Sequence, residues 1–184
     1  MHGGSILHCM NLSMPFPDHL GKSDAASFVA HIGPLVEHSP WVAERAWRRG
    51  PFADFEAVHA ALCAEIGAAS TDEQLALVRA HPELAGSEAR AGTMTRESTS
   101  EQSRLGLNAL DAAHYARLTT LNARYREKFG FPLLIALRLH PTVESVLAAG
   151  EARLANDAAT ELRTALGQIH EIVRGRLAAL ASRS

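Results

Sequence analysis

The feature that most constrains the fold is an apolar stripe at helical spacing near the end of the chain. It consists of Leu162, Ala165, Leu166, Ile169, Ile172, Val173, Leu177 and Leu180. At about 100° per residue these side chains share one face of an α-helix. A helix from about Ala158 to Leu180 must bury that face, so the chain needs a core built around it.

Helix signals also dominate the rest of the sequence. No Asn-Gly or Asp-Gly turn joins two alternating apolar runs, and the apolar run 133–139 is too short and isolated to support a sheet. We therefore expect an all-α, single-domain helical bundle of about seven to nine helices. Besides the last one, the predicted helices cover about 24–36, 37–46, 54–66, 71–81, 98–110, 115–129 and 141–154.

Three serines are expected to begin helices. Ser39 stands before a proline, which is favoured at the first helical position. Ser70 precedes Glu73 by three residues, and Ser98 precedes Glu101 by the same distance. Both pairs match the capping box, in which the serine and the glutamate each bond the other's backbone N–H.

Length and charge limit the class of protein. A chain of 184 residues suits one domain, and a net charge of −2 gives no reason to expect nucleic acid or anionic lipid as a partner. No apolar run approaches the roughly 20 residues that span a bilayer. Cys9 and Cys63 lack metal-ligand spacing and fit a reducing compartment. We expect a cytoplasmic protein without nucleic-acid or membrane partners.

The first 24 residues differ in character from the rest. They mix glycines, prolines, histidines and three methionines without helical periodicity, and they lack the basic region and clean apolar stretch of a signal peptide. We expect a disordered or loosely docked arm at 1–24 and the helical domain at 25–184.

Arg176 is the chief anomaly of the last helix, because it lies about 30° from the centre of the apolar stripe. A guanidinium aimed at a core must find an anion or several acceptors, since leaving it unpaired costs several kcal/mol. It could bind a ligand, form a structural ion pair with a core-facing glutamate, or extend its head group to the rim.

His81 is expected at the end of a helix, because Pro82 keeps the residue before it out of the α region. Glycines and small polar residues then predict a loop over 83–97. The negative end of the helix dipole favours imidazolium, so we expect a raised pKa for His81 that suits a proton donor. The structural alternative is a histidine that caps a free carbonyl.

Glu101 also allows two interpretations. It could cap its own helix by accepting from the Ser98 amide, or it could stand with Gln102 at a helix N-terminus whose free backbone donors hold an anion. No HExxH motif occurs, and the histidines share no metal-ligand spacing, so we expect no metal site.

Taken together, five segments resemble the 2-oxo-4-hydroxy-4-carboxy-5-ureidoimidazoline (OHCU) decarboxylase family. The resemblance covers about residues 26–180. In chain order the segments are Glu37-His38-Ser39-Pro40-Trp41-Val42-Ala43-Glu44, the HPELAG stretch from His81, Ser98-x-x-Glu101-Gln102, the stretch from Leu121-Asn122 through Tyr125 to Phe129-Gly130-Phe131-Pro132, and Ile172-Val173-x-x-Arg176-Leu177. The HPELAG, SxxEQ and FGFP segments are each moderately specific, and the three in order are strongly specific.

The resemblance implies a helical enzyme that needs no cofactor, is usually a homodimer, and makes (S)-allantoin and CO₂ from a small ureidoimidazoline. Its catalytic residues match His81, as proton donor, with Glu101 and Arg176. Its ligand contacts match Pro82, Ser98, Thr99, Ser100, Glu101, Gln102, Leu133, Leu134, Ile135, Ala136 and Leu137. One departure is Leu133, where the family commonly has phenylalanine. If the ligand contacts there are mostly backbone amides, this change should reshape only the pocket wall.

Two alternatives stay open at this point. In a non-catalytic helical interaction domain, His81 and Glu101 would only cap helices and Arg176 would pair internally, so no pocket would join them. A metal-dependent hydrolase of the same pathway would need a ligand cluster that the sequence does not show.

Overall fold

The protein is a bundle of helices. A computed structural model describes residues 12–17, 20 and 24–183. In this part of the chain there are nine α-helices and two short 3₁₀ helices (Gly33–Leu35 and Leu137–Leu139), and no sheet. The α-helices are α1 (Ala25–Ile32), α2 (Trp41–Trp47), α3 (Phe55–Ala68), α4 (Thr71–Arg79), α5 (Ser87–Ala91), α6 (Arg96–Arg104), α7 (Ala112–Phe129), α8 (Val143–Arg153) and α9 (Ala158–Ala181). The expected all-α class is confirmed.

Most helices begin where a side-chain oxygen can accept a backbone N–H of the first turn. Ser70 and Glu73 form the predicted capping box at the start of α4. Four helices begin after an aspartate that accepts the N–H three residues on, namely α1, α3, α7 and α9. At the other end of α7, Gly130 adopts a left-handed φ of 73°, which closes the helix as its sequence predicts.

The start of α6 differs from the expectation. Thr95, not Ser98, is the N-cap: its Oγ1 accepts the Ser98 N–H at 3.3 Å. The predicted capping box of Ser98 and Glu101 is therefore wrong. The helix begins three residues earlier, so Ser98 and Glu101 lie inside it and Thr95 caps its first turn. Ser39 likewise makes no capping bond, since α2 begins after Pro40 without a side-chain cap.

Two predicted boundaries were also wrong. The expected loop 83–97 contains α5 and the first residues of α6, and the helix expected over 98–110 ends at Arg104. Short helical turns with few apolar residues escape a periodicity argument, because they are stabilised by caps and tertiary contacts rather than by an amphipathic face.

Helix α9 crosses the centre of the fold. It packs against α3, α4 and α7 and against both 3₁₀ helices. From its predicted stripe, Ala165, Leu166, Ile169, Val173 and Leu177 are buried. Arg176 is buried with them at 4% exposure, so the helix places a cation inside the core.

Part of the expected N-terminal arm packs on the domain. Leu12, Phe16 and Leu20 are buried, and the Phe16 ring meets Phe55 edge-on at 5.1 Å between centroids. The Phe16 N–H donates to Ala53 O at 3.1 Å. The rest of residues 1–23 lies outside the described residues, so the division at residue 24 stays a prediction.

Candidate active site

The three candidate catalytic residues border one small cavity of about 30 Å³. His81 reaches it from the end of α4, Glu101 from α6 and Arg176 from α9, although they are far apart in sequence. The other lining residues are Pro82, Leu84, Ser98, Gln102, Leu133, Leu134, Ile135, Leu137 and Ile172. The convergence that separates an enzyme from an interaction domain is therefore present.

His81 is buried at 6% exposure just beyond the end of α4. Its Nδ1 lies 2.9 Å from Leu77 O, so the capping contact of the structural alternative is formed. Because a carbonyl oxygen only accepts, Nδ1 carries the proton, and in the neutral ring Nε2 has a free lone pair. Nε2 has no hydrogen-bond partner among the described residues.

The expected rise in the pKa of His81 is wrong. Burial lowers the pKa of this imidazole to about 4, against the opposing effects of the Leu77 carbonyl and the Glu37 charge. The helix end is present as predicted, but loss of hydration outweighs its dipole. His81 is therefore neutral near pH 7, and its Nε2 is a proton acceptor in the resting protein.

Arg176 uses all five of its N–H groups within the protein. Nε and Nη2 donate to the two oxygens of Glu101 at 2.8 and 3.0 Å, and Nη2 also donates to Ser98 Oγ at 3.1 Å. Nη1 donates to Glu37 Oε2 at 2.9 Å and to Leu35 O at 3.3 Å. The ion pair with a core-facing glutamate, expected as the structural alternative, is thus formed twice.

Glu101 is held by this guanidinium and not by a helix cap. It lies within α6 rather than at its N-terminus, so the expected group of free backbone donors around it is not formed. Its side chain is 33% exposed, whereas that of Arg176 is 3% exposed. Of this bidentate pair, the carboxylate is the member that an entering molecule can reach.

The loop after His81 is fixed by two amide side chains. Gln102 Oε1 accepts the Ala85 N–H at 2.9 Å, and Asn122 Nδ2 donates to Leu84 O at 2.9 Å. Gly86 closes this loop tightly, because a Cβ there would lie 2.8 Å from Glu83 Cβ. Gln102 therefore shapes the cavity wall as well as lining it.

The buried residues 133–137 line the cavity or the groove; residues 133–136 have no regular secondary structure, and Leu137 begins the second 3₁₀ helix. The backbone N–H groups of Leu133, Leu134 and Ile135 donate to no acceptor among the described residues, whereas the Ala136 N–H donates to Gln168 Oε1 at 2.9 Å. Three unused donors beside a cavity can bind an oxygen of a ligand.

An open groove of about 320 Å³ adjoins the cavity and shares Glu101, Leu137, Ile172 and Arg176 with it. Its lining includes five arginines (Arg96, Arg104, Arg138, Arg176 and Arg183) but only two carboxylates (Glu97 and Glu101). Arg138 is paired with Glu171, and Arg176 with Glu37 and Glu101, so the positive excess of the groove comes from Arg96, Arg104 and Arg183. This excess lies on a protein of net charge −2. The groove can attract an anion towards Glu101 and Arg176.

Most of the expected ligand-binding residues lie at the cavity or the groove. Ser100 and Ala136 line the groove, whereas Thr99 lines neither space. Sequence reasoning missed Glu37, which lies behind Arg176, and the groove arginines. Glu37 stands in a quoted motif, but nothing local marks it, because its partner is 139 residues away.

Within the described residues, no group of three or more His, Cys, Asp or Glu side chains could hold a metal ion. Cys63 is a free thiol, and burial raises its pKa to about 11. No helix in the described ranges is long and apolar enough to cross a membrane.

Fold and site together define a helical protein with a buried histidine, a carboxylate–guanidinium pair and unused backbone donors around one cavity. The sequence model of a protein family described as OHCU decarboxylase matches residues 22–178. The chain belongs to the OHCU decarboxylase family.

Relatives named 2-oxo-4-hydroxy-4-carboxy-5-ureidoimidazoline decarboxylase are similar along most of their length. The one from Mus musculus is 42% identical over 160 residues, 86% of this chain and 88% of its own. The one from Haloferax volcanii is 38% identical over 159 residues, 86% of this chain and 92% of its own. The crystal structure of an (S)-allantoin synthase superposes with a TM-score of 0.69 at 29% identity, covering 87% of this chain and 52% of that one.

Proposed function

We propose that this protein decarboxylates 2-oxo-4-hydroxy-4-carboxy-5-ureidoimidazoline to (S)-allantoin and CO₂ in urate degradation. The observation that carries the proposal is the cavity at which neutral His81, Glu101 and the unused amides of the 133–135 segment meet. The names of the relatives supply the substrate class, and the site supplies groups suited to it.

The substrate brings its own electron sink. One ring carbon carries a carboxylate and a hydroxyl group, and it adjoins a C=N carbon that bears the ureido group. When the C–CO₂ bond breaks, its electron pair forms a C=C bond to that neighbour, and the ring nitrogen takes up the displaced pair together with a proton from the solvent. The product of this step is an enol, so no electron-accepting cofactor is required of the protein.

His81 suits the proton transfer that completes the reaction. The enol must lose its hydroxyl proton and gain a proton at the ureido carbon to become allantoin. Neutral Nε2 can accept the hydroxyl proton, and the resulting imidazolium can then deliver a proton to one face of the carbon. Delivery from one side makes a single enantiomer. His81 is thus a proton donor that must first act as an acceptor.

Glu101 and the backbone amides complement this step. Glu101 is the exposed member of the ion pair and can accept a hydrogen bond from an N–H group of the substrate, which leaves the hydroxyl proton to His81. The amides of Leu133, Leu134 and Ile135 can donate to substrate oxygens where charge develops. Arg176 donates to Glu101 from Nε and Nη2, and its remaining N–H groups are taken by Ser98, Glu37 and Leu35. We therefore propose that it acts by holding Glu101 rather than by replacing these donors.

The groove is the proposed entrance. A cavity of about 30 Å³ is the size of roughly one water molecule, so the substrate must extend from it into the groove. The arginines of the groove favour the substrate because it is an anion. We propose that the carboxylate enters along this surface. A homodimeric assembly and a cytoplasmic location stay predictions.

The test is the reaction itself. Purified protein should accelerate CO₂ release from freshly made substrate and give optically active allantoin, and activity should survive exhaustive chelation and dialysis. His81→Asn should lose about 100-fold or more of kcat while (S)-allantoin still binds, because the ring is lost and the other contacts remain. Normal stereospecific turnover by this variant would remove His81 from the proposed mechanism.

The interaction-domain alternative predicts a different result. In it, wild-type protein and His81→Asn would leave the spontaneous rate of CO₂ release unchanged. The same assay therefore separates the two functions.

A further inference from the structure

We propose that Glu37 is a positioning residue of the reaction, which fixes Arg176 and the start of α6 so that Glu101 is presented to the cavity. This inference rests on the proposed function for its activity readout. Glu37 lines neither the cavity nor the groove, so it does not touch the substrate in this arrangement.

The position of Glu37 is unusual for a carboxylate. It is 1% exposed and lies in the turn between the first 3₁₀ helix and α2. Its next neighbour, His38, has a φ of 45°, in the left-handed region that non-glycine residues rarely adopt. A buried charge is retained only where it is paired and hydrogen-bonded, so the partners of Glu37 indicate its role.

All the close partners of this carboxylate belong to the elements that carry the site. Oε1 accepts from Thr95 Oγ1 at 2.7 Å, and Oε2 accepts from Ser98 Oγ at 2.9 Å and from Arg176 Nη1 at 2.9 Å. Thr95 is also the N-cap of α6, the helix of Glu101. One carboxylate thus ties the start of α6 to α9.

The bonds to Arg176 explain how Glu37 could act at a distance. Glu37 accepts a hydrogen bond from Nη1, and Glu101 accepts hydrogen bonds from Nε and Nη2. Ser98 links the two sides, because its hydroxyl accepts from Nη2 and donates to Glu37. The plane of the guanidinium is therefore set from both sides. Without Glu37 the Nη1 side loses its anion, and both Arg176 and Glu101 gain freedom to turn.

The charge of Glu37 also reaches His81. Burial acts to raise the pKa of Glu37, but the bonds from Thr95, Arg176 and Ser98 lower it overall, so the group is ionised near neutral pH. Its negative charge favours the imidazolium of His81, while Arg176 and His38 oppose it. The titratable groups and charges around Glu37 are thus Arg176 and Glu101 on their helices, His81 at the end of α4, and His38, whose Nε2 lies 3.9 Å from Oε1.

The first test is Glu37→Gln, which keeps size and removes charge. We expect kcat to fall about 10- to 100-fold, which is the loss typical when a residue that orients a functional side chain is removed, with KM within about threefold of wild type. The acid limb of the kcat/KM profile should move to lower pH by about half a unit, because His81 loses a nearby anion. The same shift should appear when the His81 ring is titrated by NMR without substrate.

Glu37→Asp separates charge from reach. It keeps the anion but is one methylene shorter, so it cannot contact Thr95, Ser98 and Arg176 together. We expect kcat to fall while the acid limb stays at its wild-type position. If Glu37→Gln does not fold, this variant decides alone, and wild-type kcat for Glu37→Asp would overturn the proposal.

Glu161→Gln is the matched control. Glu161 is equally buried, accepts from Tyr125 and Arg153, and lines neither the cavity nor the groove. Glu161→Gln should lower the free energy of unfolding without moving the acid limb of the kcat/KM profile. If Glu37→Gln shows only the pattern of this control, Glu37 is merely structural and the proposal is wrong. A wild-type protein without turnover would refute the proposed function separately, and the NMR titration would still test the link between Glu37 and His81.

Discussion

Replacing His81 by asparagine should make the protein less sensitive to acid. The folded protein holds this ring neutral, with a pKa of about 4 against an ordinary value of 6.5. The unfolded chain therefore binds a proton more readily than the folded one between these values. Wild-type stability from this group is fully present above about pH 6.5 and is lost as the pH falls towards 4.

The size of the effect follows from the two pKa values. Complete titration between them corresponds to about 3 kcal/mol, and the part expected between pH 7 and pH 5 is about 2 kcal/mol. That is a large share of the 5–15 kcal/mol typical of a folded domain, roughly a factor of 30 in the unfolding equilibrium. Asparagine has no proton to bind in this range, so the variant lacks this loss.

The assay is urea unfolding followed by circular dichroism, at pH 7 and pH 5, for wild type and His81→Asn. Other titrating groups are common to both proteins and cancel in the difference. The stability advantage of wild type over the variant should shrink by about 2 kcal/mol at pH 5. His31→Asn, at an exposed position on α1, controls for the general effect of removing a histidine. An advantage of equal size at both pH values would refute the neutral, buried state of His81.

Three other perturbations test the site. Arg176→Ala should lower the free energy of unfolding, measured in urea, by about 3–5 kcal/mol, because it leaves two carboxylates without their cation. A decrease below about 1 kcal/mol would contradict the ion-pair network. The double variant Arg96→Gln/Arg183→Gln should have a kcat/KM several-fold below wild type at low salt, an unchanged kcat/KM at high salt, and an unchanged kcat at both. The control is Arg163→Gln, because Arg163 is exposed and lies outside the groove. Gly86→Ala should lower both kcat and the free energy of unfolding by distorting the loop after His81, and wild-type values for both would show that the loop can accommodate a Cβ.

Local signals in the sequence were enough for the long helices, although they missed α5 and placed the start of α6 too late. The stripe of α9, the capping box at Ser70 and the left-handed Gly130 all operate within a few residues, so they could be recognised without the fold. The anomaly of Arg176 was also visible, because a cation within an apolar stripe requires an anion wherever the helix is placed.

Tertiary structure decided how the charges are used. Sequence spacing could not show that Arg176 meets Glu37 and Glu101 at once, since these contacts join residues 139 and 75 positions apart. It also led to the wrong direction for the pKa of His81, because the helix end is local whereas burial depends on the whole fold. The sequence by itself determined where the long helices form and which residues are out of place in them. Packing determined which of those residues meet, and in which protonation state, because solvation and pairing are properties of the assembled core.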